Sequence, residues 1–135
     1  MSAPNAELGR ALEAVLGDCL RLRSGETLLV LTDPGKRGLA EGLVERGRAR
    51  GAESVLVEMA ERVTHGSEPP GVVAAALLEA DVVVAPTCKS VSHTQARQNA
   101  SDRGARIATM PDATEDMLAR TMGADMAELR RRSGA

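Results

Sequence analysis

DVVVAPTCKSVSHTQARQNASDRGARIATMP, residues 81–111, decides how this chain folds. Its apolar run Val82–Ala85 is continuous and is stopped by Pro86. A short unbroken apolar run with no polar alternation reads as a strand buried on both faces. A polar loop follows, carrying Thr87, Cys88, Lys89, Ser90, Ser92, His93 and Thr94. Ser92-x-x-Gln95 fits a capping box and opens a helix. Gly104 ends that helix, and Ala105–Met110 is a second buried strand stopped by Pro111. Strand, loop, helix and strand together make one unit of a parallel sheet. In such sheets the loop leaving the carboxyl end of a strand is where ligands are usually met.

Working outward, the same alternation continues in both directions. Residues 5–22 carry a helical stripe of Leu8, Leu12, Val15, Leu16, Cys19 and Leu20. Gly25 marks a turn, and Glu26–Thr32 reads as a buried strand. Asp33-Pro34-Gly35 is a turn signal. Residues 37–50 present Leu39, Ala40, Leu43, Val44 and Gly47 on one helix face, with Gly51 at the C-cap. Ser54–Met59 is a second strand and 60–71 a loop with His65, Gly66, Pro69 and Pro70. Val72–Glu79 is a short apolar helix. Beyond Pro111, Asp112-x-x-Glu115 looks like another cap pair. Asp125-x-x-Glu128 starts a last helix whose Arg130, Arg131 and Arg132 complement its dipole. The expectation is a single α/β domain, 1–135, with three layers: a mainly parallel four-stranded sheet and helices on both faces.

Composition excludes several function classes. Seventeen basic and 19 acidic residues leave a net charge of −2, which gives no pull toward nucleic acid or an anionic membrane. The chain has no Phe, Tyr or Trp. It therefore lacks both a base-stacking platform and an aromatic cage for a quaternary cation. No apolar run approaches the length of a membrane span, and no basic patch precedes an apolar core at the N-terminus. The two cysteines, Cys19 and Cys88, read as reduced thiols of a cytoplasmic protein rather than a disulfide framework.

The motifs divide into weak and informative ones. Gly35-Lys36-Arg37-Gly38 follows the first strand but has neither phosphate-loop nor dinucleotide spacing, so it reads as a turn entering a helix. Cys88 and His93 share a loop. A metal needs three or four ligands, and His65, Asp33 and Asp112 offer no spaced set. Cys88 reads equally well as a small packed group. Ser90, Ser92, His93 and Thr94 stand at the start of a helix, where free N–H groups attract an anion or a carboxylate. Capping alone accounts for Ser92 but leaves His93 unexplained. The helix over 93–103 is strongly polar, with only Ala96 and Ala100 as packing positions. It is either a solvated outer helix or a face for another domain or subunit.

Thr87–Arg97, Gly104–Pro111, Thr114–Met117 and Arg120 together resemble the N-terminal domain of the leucyl aminopeptidase, or aminopeptidase T, family of metallopeptidases. The family's Ser-x-Ser-His-Thr, Ala-Arg and Gly-Ala-Arg-Ile-Ala-x-Met-Pro pieces correspond to Ser90, Ser92, His93, Thr94, Ala96, Arg97 and Gly104–Pro111. Ser24-Gly25-Glu26 and Arg50-Gly51-Ala52 are similar to the same domain. Cys88-Lys89 departs from it, because a Lys and an aromatic residue are common there. The resemblance implies a two-domain, metal-dependent exopeptidase whose ligands for a divalent metal lie in a C-terminal catalytic domain. It assigns no catalytic residue, no metal ligand and no cofactor to this chain. It implies a scaffold and cleft wall for a peptide substrate, with Ser90, Ser92, His93 and Thr94 facing the cleft, and a homo-oligomer as the working form. The same two-domain fold resembles dihydroxypyridine dioxygenases. The alternative is a stand-alone binding or assembly module lacking the catalytic half. The missing glycine fingerprint argues against a dinucleotide-binding domain.

Overall fold

The computed structural model describes residues 3–118. The expected last helix, with Asp125, Glu128 and Arg130–Arg132, and the matching Arg120 lie outside them. Four strands form one sheet: β1 (Thr27–Thr32), β2 (Glu53–Glu58), β3 (Val82–Ala85) and β4 (Arg106–Thr109). Their order is β2-β1-β3-β4, and every neighbouring pair is parallel. Five α-helices are described: α1 (Ala3–Glu13), α2 (Arg37–Ala49), α3 (Gly71–Leu78), α4 (Gln95–Asp102) and the short α5 (Glu115–Met117). The expected three-layer α/β fold is the observed one.

Strand composition follows position in the sheet. β1 and β3 are central, so both of their faces are covered; β3 is apolar throughout and β1 is apolar between Thr27 and Thr32. Leu28, Val30, Val82 and Val84 pack with Leu12 and Leu16 on one side and with Leu39 and Leu43 of α2. Leu29, Leu31, Val83 and Ala85 point the other way, toward Val73 and Leu77 of α3 and Ala96 and Ala100 of α4. Each fully buried Val or Leu contributes roughly 1.5–3 kcal/mol. Two cores sharing one central pair of strands thus replace the aromatic rings that the chain lacks. The edge strands β2 and β4 are only partly covered. Gly51 and Gly104, at φ +86° and +102°, follow α2 and α4 where a left-handed residue lets the chain leave a helix.

Three local expectations are corrected. The single helix over 5–22 is instead α1 followed by a π-helical turn over Ala14–Cys19, then Arg21 at φ +52°. The chain just after this turn is held by a residue distant in sequence. Arg106 of β4 donates from Nε to the Leu20 carbonyl at 2.7 Å and from Nη2 to the Arg21 carbonyl at 3.3 Å. The same guanidinium pairs with Glu26 at 2.6 Å. Burial pushes the Glu26 carboxyl up, but the Arg106 and Arg23 contacts outweigh it and hold the group below its ordinary range. Second, α4 is capped by Thr94, whose hydroxyl accepts from Arg97 N, and not by Ser92. Third, α5 is capped by Thr114, and Asp112 instead pairs with Lys36. In both caps the hydroxyl immediately before the first helical residue is better placed than the polar side chain two residues earlier.

Candidate functional site

With the order β2-β1-β3-β4, the chain turns to one side after β1 and to the other after β2. The carboxyl ends of β1 and β3 therefore border a topological switch point, where open α/β sheets place their ligand crevices. Thr32 closes β1 and donates its hydroxyl to the Pro86 carbonyl at 2.8 Å. Asp33 comes next and is 1% exposed. Its carboxylate accepts from Cys88 N at 2.7 Å and from the Cys88 thiol at 3.4 Å. A carboxylate needs such donors to be buried. Gly35 makes the approach possible, since a Cβ there would lie 2.6 Å from Cys88 Sγ. Lys36 reaches Asp112 at 3.5 Å, and Asp112 N donates to the Thr87 carbonyl at 2.7 Å. The loops after β1, β3 and β4 are thus tied together around Asp33.

Burial, the Asp33 hydrogen bond and charge, and Glu61 push the Cys88 thiol up to about 11, with Lys36 opposing. Cys88 is therefore not an activated nucleophile, because the thiolate is the reactive form. Alkylation of Cys88 with iodoacetamide at pH 8 should run about tenfold slower than in the urea-unfolded chain. Its rate should keep rising toward pH 11, and Asp33→Asn should move the rise to lower pH. A plateau below pH 9 would contradict the assigned thiol environment.

The four residues singled out by the sequence lie in the neighbouring part of the same loop. Ser90 Oγ donates to Ser92 Oγ at 2.9 Å and accepts from Ser92 N at 3.0 Å. Ser92 Oγ shares a hydrogen bond with Thr109 Oγ1 of β4 at 2.6 Å. Thr94 is buried, and its hydroxyl donates to the Val91 carbonyl at 2.7 Å while capping α4. His93 is exposed. It lines an open hollow of about 250 Å³ with Thr94, Gln95, Arg97 and Gln98. Arg97 holds the loop from behind, donating to the Ser92 carbonyl at 2.9 Å and to Ser101 Oγ at 3.1 Å. The polar outer face of α4 carries Gln95, Gln98, Asn99 and Asp102, with Ala96 and Ala100 buried.

The anion expected at the start of α4 is supplied from within. The Glu68 carboxylate accepts from Gln95 N at 2.6 Å and from Ala96 N at 3.1 Å. Neither Glu68 nor the central role of Asp33 is visible in the sequence reading. An acid directly after a buried strand and before Pro-Gly is the one local signal for Asp33. Among the described residues no group of three or more His, Cys, Asp or Glu could hold a metal ion. No described helix is long and apolar enough to cross a membrane.

The architecture is shared with solved structures of larger proteins. The 2,5-dihydroxypyridine dioxygenase of Pseudomonas putida matches 87% of this chain with a TM-score of 0.69 at 20% identity. AmpT of Thermus thermophilus matches 97% of it with a TM-score of 0.58 at 12% identity. The chain spans 37% of the dioxygenase and 47% of AmpT. No protein-family model matches the chain, and no curated protein matches it in sequence. At these identities the likeness defines a fold, and that fold serves more than one chemistry.

Proposed function

We propose that this chain is the N-terminal, non-metal-binding domain of a metal-dependent, aminopeptidase-like hydrolase that removes N-terminal residues from peptides. Its part is scaffold and cleft wall. The observation that carries the reading is the Ser90, Ser92, His93, Thr94 segment in the loop after β3, beside the switch point. The AmpT likeness over nearly the whole chain agrees with it. The dioxygenase shares the same scaffold over 87% of the chain, so it is the loop segment and not the scaffold that favours this reading. On this reading a divalent metal is held by a C-terminal catalytic domain.

What the chain itself supplies is order. The Ser90–Ser92–Thr109 hydroxyl chain and the Arg97 clamp fix the loop backbone. His93 is left projecting as a donor and acceptor for a peptide group. In the two-domain gene product, His93→Ala should lower kcat/KM by about tenfold, or roughly 1.4 kcal/mol of transition-state stabilisation. The melting temperature should stay within about 2 °C, because His93 is exposed and surface changes stay near 0.5 kcal/mol. A fall in melting temperature with unchanged turnover would make His93 a structural residue and remove it from the cleft.

A further inference from the structure

The segment between β2 and α3 folds back over the loop after β3 and holds it, together with the start of α4, at three places. His65 Nδ1 accepts from Ser90 N at 2.8 Å. Gly66 N donates to the Ser90 carbonyl at 2.8 Å. Glu68 takes the first free N–H groups of α4. Both backbone groups of Ser90 are thus held by a consecutive pair of residues.

The first grip depends on protonation. A backbone N–H can donate only to a ring nitrogen with a free lone pair, and an imidazolium has two donors and no acceptor. We propose that His65 is a positioning residue that latches the Ser90–Thr94 loop, and that its protonation opens the latch. The inference stands whichever reaction the loop serves.

The charged and titratable groups on the segments that meet here are few. They are Glu61, Arg62 and Glu68 on the His65 segment, Cys88, Lys89 and His93 on the loop, and Arg97 and Asp102 on α4. Of these side chains imidazole is the kind that ordinarily gains a proton in mild acid. The Cys88 thiol, pushed up to about 11, stays protonated there. Loss of the latch is therefore expected on acidification. The neutral ring is the one that holds Ser90, so the contact is complete at high pH and disappears as pH falls.

The test is amide hydrogen exchange read by NMR on the 135-residue chain, corrected for intrinsic rates. Ser90 protection should fall about fivefold from roughly pH 7.5 to 5.5, while Val83 in the central strand keeps its protection. His65→Asn offers an acceptor that does not titrate, so Ser90 should stay protected across the range. His65→Ala should be weakly protected throughout, and His93→Gln should retain the wild-type pH dependence. Protection of Ser90 that does not vary with pH overturns the latch. So does a pH dependence that persists in His65→Asn or vanishes in His93→Gln. Should His65→Ala fold poorly, the wild-type and His65→Asn series decide on their own.

Discussion

Asp33→Ala should lower the stability of the chain by about 3 kcal/mol, the sum of a lost charge-assisted hydrogen bond and a backbone donor left unpaired. Asp33 is 1% exposed, and its carboxylate accepts from Cys88 N at 2.7 Å and from the Cys88 thiol at 3.4 Å. Removing one partner of a buried pair costs more than replacing both, because the remaining group keeps its desolvation penalty. The melting temperature should drop by about 10 °C. Asp33→Asn keeps an acceptor for Cys88 N and should cost about 1 kcal/mol. Calorimetry on the two variants separates the acceptor from its charge. Equal losses would mean that the charge, and not the bond to Cys88 N, holds the loops together.

Gly47→Val should be at least as damaging, by about 3 kcal/mol or more. Gly47 lies where α2 crosses the sheet. A Cβ there would sit 2.5 Å from Leu28 Cδ2, with Ser54 Oγ in its way as well. Leu28 and Ser54 are both buried, so neither has room to move aside. Alanine in a helix interior gains up to about 1 kcal/mol over glycine. Overpacking costs about 1–3 kcal/mol, so even Gly47→Ala should be a net loss. Gly71 at the start of α3 is the control. A Cβ there meets nothing within 4 Å, and Gly71→Ala should leave the melting temperature unchanged or slightly raised. Urea denaturation of the three variants checks the contrast. A stable Gly47→Val would mean that α2 rides higher on the sheet.

The fold was legible because β1 and β3 are covered on both faces. Double burial demands an unbroken apolar run, and Leu28–Leu31 and Val82–Ala85 supply it without help from distant residues. Helix ends were less legible because their partners come from afar. Ser92-x-x-Gln95 has the form of a capping box, yet Gln95 N is taken by Glu68, 27 residues away. The Leu20 carbonyl, just past the π-helical turn after α1, is taken by Arg106, 86 residues away. The candidate site shows the same split. Ser90, Ser92 and His93 stand out in the sequence as a polar cluster after a strand. Asp33 becomes a hub only once β1 and β3 are adjacent and Cys88, 55 residues on, arrives beside it. Gly35 is then explained by the thiol it must accommodate.

The most direct measurement uses the whole gene product as cells make it. It is incubated with short peptides carrying free or acetylated N-termini, with and without a chelator, and released residues are followed by mass spectrometry. The account predicts release from the free peptides alone, abolished by the chelator, and no release by residues 1–135 by themselves. Release by residues 1–135 alone, or no release by the whole product from any free peptide, would contradict it.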